Sequence, residues 1–295
     1  MTMQQAVLSL VLATMVFSIA LELRLADFRR VLETPRAVLC GLLSQFLLLP
    51  VGTWAAMRLL DLPPHVEAAL LLIACAPGGS LSSVLTHIGR GNTALSLSIS
   101  ASVGVLSLVL TPLNFTWTMA SNPATADWLR TLAIDPVSIW WSLLGLLGVP
   151  MTLGLLLGAR RPALADRLKK PLSRFSFAAL FAFIVFALVR DRHLLTPQIL
   201  PEFAIVVLHN AAGLALGWLC AQAFALAERD RRAVTIEGGM QNAGFVLGIV
   251  ALQFNSDVGM VIVASLWGLW CIVSGLALAW WWRQRSGADA AFSAA

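Results

Sequence analysis

About nine apolar stretches, each near the length of a bilayer crossing, limit this chain more than any other feature. At about 20 apolar residues per crossing, they fall at roughly 4–22, 37–59, 66–88, 93–117, 136–158, 173–189, 201–226, 233–254 and 258–282. In hydrocarbon every backbone N–H and C=O needs a partner within the protein, and runs of this length find it as helices. The expectation is an all-α polytopic membrane protein of about nine transmembrane helices, with 1–295 as a single transmembrane domain. Composition agrees, with 59% hydrophobic residues against 12% charged and a mean hydropathy of +0.83. Those values lie far outside the range of soluble globular domains.

The net charge of +5 reads as a topology signal. The basic residues sit in short loops between apolar runs, with no nucleic-acid-binding motif, so no nucleic-acid partner is expected. Alternating the nine runs puts sixteen of the twenty Lys and Arg residues on one face. They are Arg24, Arg29, Arg30, Arg36, Arg90, Arg160, Arg161, Arg167, Lys169, Lys170, Arg174, Arg229, Arg231, Arg232, Arg283 and Arg285. Only Arg58, Arg130, Arg190 and Arg192 fall on the other. The positive-inside rule then places the N-terminus outside and the C-terminus in the cytoplasm, which for a bacterial protein means the inner membrane. Trp140, Trp141, Trp280, Trp281 and Trp282 lie at run ends, as in an interfacial belt. Residues 286–295 read as a small polar, disordered tail. The longest external segment is about Met119–Asp135. Cys40, Cys75, Cys220 and Cys271 all lie within apolar runs, without CxxC or metal-ligand spacing, and read as small buried residues. Glu22, Glu67 and Glu202 sit at run ends and read as solvated.

Against this background Thr235–Gly244, TIEGGMQNAG, stands apart, because it sets Glu237 and the Gln241-Asn242 pair inside an apolar run. A charge at membrane depth costs roughly 2.5–3.5 kcal/mol on insertion scales, and no Lys or Arg lies at that depth to offset it. A mobile cation is the natural partner. Gly238-Gly239 lowers helix propensity and lets the backbone open beside the acid, freeing carbonyl oxygens. The third run is broken as well, by Pro77-Gly78-Gly79 followed by Ser80, Ser82 and Ser83. The two breaks lie one in each half of the chain, in runs of opposite direction. Such a pair is the pointer to an inverted-repeat secondary transporter with its site at the bilayer midplane. Half-helices starting near Ser80 and Asn242 would aim N–H groups at an anion, while those ending at the breaks would offer carbonyls to a cation.

Four segments carry a resemblance: Ser44-Gln45-Phe46 with Pro50, Ala76–Ser100 (APGGSLSSVLTHIGRGNTALSLSIS), Leu208-His209-Asn210, and EGGMQNAG from Glu237. On these the chain resembles the bile acid:sodium symporter family from about its first run to its last. The resemblance implies a core domain, about 37–117 and 201–282, in which two discontinuous helices cross, and a panel domain, about 4–22 and 136–189. It implies two sodium ions. One would be held by Ser82, Ser83, Ser96, Ser100 and Glu237, the other by Gln45, Glu237, Gly238, Met240 and Gln241. Ser83 stands where the family usually has Asn, and Ser100 where Thr is common. Ser80 and Asn242 are the candidates for substrate contact, with N-capping as the competing role for both. His209 and Asn210 are further candidates, set against a structural pair satisfied within the protein.

The function this implies is Na+-coupled symport of an organic anion, bile-acid-like or a small carboxylate such as pantoate, by alternating access, with the lipid bilayer as surroundings and no obligatory protein partner. A proton-coupled carrier using Glu237 and His209 is the rival reading, and an arsenite-efflux-like carrier using Cys75 is a third. An enzyme is not expected, because no second Asp or Glu lies at the depth of Ser80, Ser82 and His209 to complete a catalytic set.

Overall fold

The computed structural model describes residues 3–23, 31–60, 62–79, 81–132, 135–190 and 199–292. Helices occupy all nine apolar intervals, and no strand occurs among the described residues. The first is α1 (Met3–Glu22). The second comprises α2 (Pro35–Leu43), a π-helical stretch Ser44–Leu48 and α3 (Leu49–Met57). The third is broken into α4 (Pro64–Cys75) and α5 (Ser82–Ile88). Then come α6 (Thr93–Ser121), a short α7 (Pro123–Thr131), α8 (Pro136–Arg160), α9 (Pro162–Arg190) and α10 (Leu200–Ala223). The eighth interval is broken into α11 (Glu228–Gly239) and α12 (Ala243–Gln253), and α13 (Val258–Phe292) completes the order.

Five segments are long and apolar enough to cross a membrane by length and composition: Pro35–Met57, Thr93–Ser121, Val137–Arg160, Leu200–Ala223 and Val258–Arg285. This is an integral membrane protein. The third and eighth intervals miss that criterion because each is two short helices, and the apolar stretch of the first covers only Ser9–Leu21.

Local sequence explains the helix starts. Pro35, Pro64, Pro123, Pro136 and Pro162 stand at first helical positions, where a missing N–H costs nothing. Asp135 caps α8 by accepting from Val137 N and Ser138 N, both at 3.2 Å. In the second interval Pro50 cannot donate to the Phe46 carbonyl one turn back. The Asn114 side-chain amide of α6 donates to it instead, at 2.8 Å, and the backbone widens into the π stretch that carries Ser44, Gln45 and Phe46.

Three expectations are corrected. The basic stretch around Arg160–Arg174 is helical apart from Arg161, because α9 begins at Pro162. Within Met119–Asp135, α6 runs on to Ser121 and α7 follows from Pro123 to Thr131. Residues 286–292, expected to be disordered, continue α13, since the Ala-rich GADAA segment follows directly on a helix already formed. Glu67 is 2% exposed, with its Oε2 accepting from Asn122 Nδ2 at 2.6 Å. It sits inside the packed end of the protein instead of in solvent.

Packing sorts the helices. α1 lies against α8 and α9, while α10 lies along α11. In α4 every residue from Val66 to Cys75 is buried, as is every residue from Ala243 to Ala251 in α12. A helix apolar on all sides is one enclosed on all sides, so the two broken intervals form the centre. α10 approaches α11 through glycines. A Cβ on Gly213 would lie 2.8 Å from the Gly238 carbonyl oxygen, and one on Gly217 would lie 2.8 Å from that of Val234. Small residues permit this backbone contact.

The helix ends group into two sets. At one, Arg58 donates to the Ser121 carbonyl (3.2 Å) and Asn122 reaches Glu67. At the other, Asn92 N donates to the Arg229 carbonyl (2.8 Å) and Arg232 Nη1 to that of Gly89 (2.9 Å). The Arg232 guanidinium also lies over the Trp282 ring, 5.5 Å from its centre.

Candidate functional site

The two breaks meet. Gly78 and Gln241 form an isolated antiparallel bridge, in which Gly79 N donates to the Met240 carbonyl at 2.8 Å and Asn242 N to that of Pro77 at 3.0 Å. Glycine is needed here for space, because a Cβ on Gly79 would sit 3.3 Å from the Gln241 carbonyl oxygen. Each interruption thus supplies the hydrogen bonds that the other lacks, which is how non-helical backbone persists at membrane depth.

Glu237 lies one turn before this crossing and is fully buried. Its Oε1 accepts from Ser82 Oγ at 2.7 Å, Ser96 Oγ at 2.5 Å and Ser100 Oγ at 2.9 Å. The i, i+4 spacing of Ser96 and Ser100 brings both hydroxyls to one face of α6, and Ser82 is the first residue of α5. On the other side, the π stretch of the second interval presents Gln45. Its Nε2 donates to the Glu237 carbonyl at 2.8 Å and approaches Oε2 at 3.4 Å. Hydrogen bonds to a charged group contribute about 1.5–3 kcal/mol each, so these donors offset much of the cost of burying the carboxylate.

The carbonyls released by the Gly238-Gly239 break, expected to be free, all accept bonds. Glu237 O accepts from Gln45, Gly238 O from Gln241 Nε2 at 3.4 Å, Gly239 O from Asn210 Nδ2 at 2.8 Å, and Met240 O from Gly79. What lacks partners lies in the side chains. Gln45 Oε1, Gln241 Oε1 and Ser44 Oγ are buried without a hydrogen bond among the described residues. Gln45 Oε1 and Glu237 Oε2 lie 3.3 and 3.4 Å from where a Cβ on Gly78 would sit. These are hard oxygen donors, suited to an alkali or alkaline-earth cation rather than a soft metal. Among the described residues no cluster of His, Cys, Asp and Glu has the make-up of a transition-metal site.

The remaining candidates separate. Ser83 does not bond to Glu237. It lines a cavity of about 50 Å³ with Gly78, Ser100 and Asn242, closed on the far side by Val16 and Ile19 of α1 and Leu147 and Met151 of α8. A second cavity, about 100 Å³, borders Gly79, Gln241 and Asn242 and is faced by Met15 of α1 and Phe181 of α9, with Cys271 on its α13 side. Asn242 lies at both, and its Oδ1 caps α12 by accepting from Phe245 N at 3.0 Å. Ser80 lies outside the described residues.

His209 and Asn210 line neither cavity. The Trp267 indole, a donor only, gives its hydrogen to His209 Nδ1 at 3.1 Å. His209 therefore carries its proton on Nε2 and donates it to Thr53 Oγ1 at 3.0 Å. Asn210 bonds to Gly239 O, and its own Oδ1 accepts from Ser274 Oγ at 2.6 Å. The pair is satisfied within the protein. Cys75 likewise lies away from both cavities, 4.0 Å from Thr118 Oγ1, and Cys40 and Cys220 touch each other at 3.1 Å between sulfurs.

Sequence reasoning missed Asn114, Trp267 and Ser274, and it named Ser44 and Gly78 without giving either a role at the site. Asn114 carried a signal, being an amide in mid-run. Ser274 carried none that separates it from a packing serine.

Comparison with known proteins finds relatives along most of the chain. The chain is 27% identical over 278 residues to the uncharacterized sodium-dependent transporter YocS of Bacillus subtilis, covering 94% of this chain and 83% of that protein. It is 26% identical over 255 residues to the human ileal sodium/bile acid cotransporter, covering 85% of this chain and 70% of that one. With the probable sodium/metabolite cotransporter BASS1 of Arabidopsis thaliana it shares 26% over 267 residues, 90% of this chain but 64% of the longer plant protein. The profile of the Sodium Bile acid symporter family matches residues 9–198, which include Gln45 and the first break, and the chain belongs to that family of sodium-dependent transporters.

Proposed function

We propose that this protein couples the inward movement of Na+ to uptake of a small organic anion by alternating access. The observation that carries the reading is Glu237, a fully buried carboxylate at the crossing of two broken helices, with buried side-chain oxygens beside it that lack donors. An inward Na+ contributes roughly 2.3 kcal/mol per charge per 100 mV of membrane potential. The anion would enter from the cavities beside Asn242, between the crossing and the helices α1, α8 and α9. Those three would act as the panel, and α2–α6 with α10–α13 as the core that moves against it.

Nine crossings, with the N-terminus outside and the C-terminus in the cytoplasm, are supported by the two groups of helix ends. Arg58, Glu67 and Asn122 meet at one, and Gly89, Asn92, Arg229, Arg232 and Trp282 at the other, as alternation along the chain requires. The bonds on both His209 nitrogens disfavour that residue as a proton carrier, and with it the proton-coupled reading.

The test is thermal stabilisation of the purified protein in NaCl against KCl and choline chloride, with Glu237→Ala alongside. The expected result is stabilisation by Na+ that the variant loses. Equal behaviour in all three salts would overturn the coupling.

A further inference from the structure

We infer that the exposed row Arg167, Lys170 and Arg174 on α9 is a binding site for the headgroup of an anionic phospholipid, whose acyl chains lie along the apolar continuation of the same helix face. The inference goes beyond the sodium-coupled reading and does not depend on it.

α9 is one helix, Pro162–Arg190, that starts polar and ends apolar. Residues three, four and seven apart share a helix face, so Arg167, Lys170 and Arg174 form one row, and Ala178, Phe181, Val185 and Val189 continue it. All seven are exposed. The opposite face carries Ala165 and Ser176, both buried against the protein. An exposed apolar side chain on a membrane-spanning helix meets lipid, so this face of α9 is the lipid-facing one, and the basic row extends it to the level of the headgroups. From Arg174 to Val185 the helix rises about 16 Å at 1.5 Å per residue. That matches the depth of one leaflet, half of a hydrocarbon core of about 30 Å.

Charge favours an anionic lipid over a neutral one. From Arg160 to Arg174 six basic residues stand against a single acid, Asp166, and Asp166 pairs with Lys169 at 2.7 Å. A guanidinium presents a planar fork of donors that fits phosphate oxygens. Basic residues near the start of α11 are used differently. Arg231 Nη2 donates to the Leu226 carbonyl at 3.2 Å, and Arg232 holds Gly89 and Trp282, so those side chains tie helices together while the α9 row points outward. The positive-inside rule accounts for charge at this end of the helix, but not for its alignment with the lipid-facing side.

The test is thermal unfolding of the purified protein in detergent and KCl, titrated separately with dioleoylphosphatidylglycerol, dioleoylphosphatidylcholine and inorganic phosphate. Saturable stabilisation by phosphatidylglycerol alone is expected. Each basic residue beside anionic lipid contributes about fivefold in affinity. The Arg167→Gln/Lys170→Gln/Arg174→Gln variant should therefore need on the order of a hundredfold more of that lipid, whereas Arg283→Gln/Arg285→Gln in α13 should need no more than the wild type. If the triple variant does not fold, Lys170→Gln alone, with about a fivefold loss, decides the matter. Equal stabilisation by phosphatidylcholine, stabilisation by inorganic phosphate without lipid, or an unchanged lipid requirement in the α9 variants would overturn the inference. So would an equal loss in the α13 variant, which would assign the effect to overall charge.

Discussion

Asn210 and His209 are neighbours in sequence with separate tasks. Asn210 holds the carbonyl that the α11 break releases at Gly239, and Ser274 on α13 holds Asn210. Asn210→Ala leaves that carbonyl buried without its donor, which costs about 1–3 kcal/mol, and because the carbonyl is two residues from Glu237 it should also weaken Na+ binding. Thermal unfolding and Na+ titration of the same variant check both effects. Trp267→Phe removes the indole N–H together with part of a fully buried ring, leaving His209 Nδ1 buried as an orphan acceptor. A loss of about 1–3 kcal/mol is again expected, without change in Na+ affinity, since neither residue touches the crossing.

At the scale of elements, interruptions in three intervals create the site, and each is stabilised from a neighbouring helix. The π stretch depends on Pro50 and Asn114, so Asn114→Ala should destabilise the second interval and disturb the placement of Gln45, seen as lower Na+ affinity together with a lower melting temperature. α10 and α11 depend on missing side chains. A Cβ on Gly217 would lie 2.8 Å from the Val234 carbonyl oxygen and 3.1 Å from Thr235 Cα. Backbone cannot move aside as a flexible side chain can, so Gly217→Ala should cost about 1–3 kcal/mol by overpacking. Ser98, Ser102 and Ser107 of α6 bond back to carbonyls of their own helix. They are packing residues, in contrast to Ser96 and Ser100 on the same helix.

For the whole molecule, both cavities at the crossing are closed by residues of α1, α8 and α9. If these three move as a body against the rest, tying the bodies together stops transport. Met15 of α1 and Cys271 of α13 line the same cavity. Met15→Cys treated with a bifunctional maleimide should lose Na+-driven uptake in proteoliposomes, while the untreated variant and treated wild type retain it. Full uptake after verified cross-linking would exclude relative motion of these two helices.

Much of this was legible in the chain. Apolar length located the helices, because backbone in hydrocarbon has few alternatives to the helix. Proline and paired glycines located the breaks, because they cannot sustain one. The acid amid apolar residues located the site, because burying a charge demands donors or a cation. Sequence could not decide which oxygen of Glu237 the serines occupy, whether the carbonyls at the break stay free, or that Glu67 is enclosed and His209 locked between Thr53 and Trp267. Most of those outcomes depend on partners 29 to 192 residues away in the chain, and a residue's hydrogen-bonding capacity does not tell which distant group will meet it. Only the packing of the helices makes that choice.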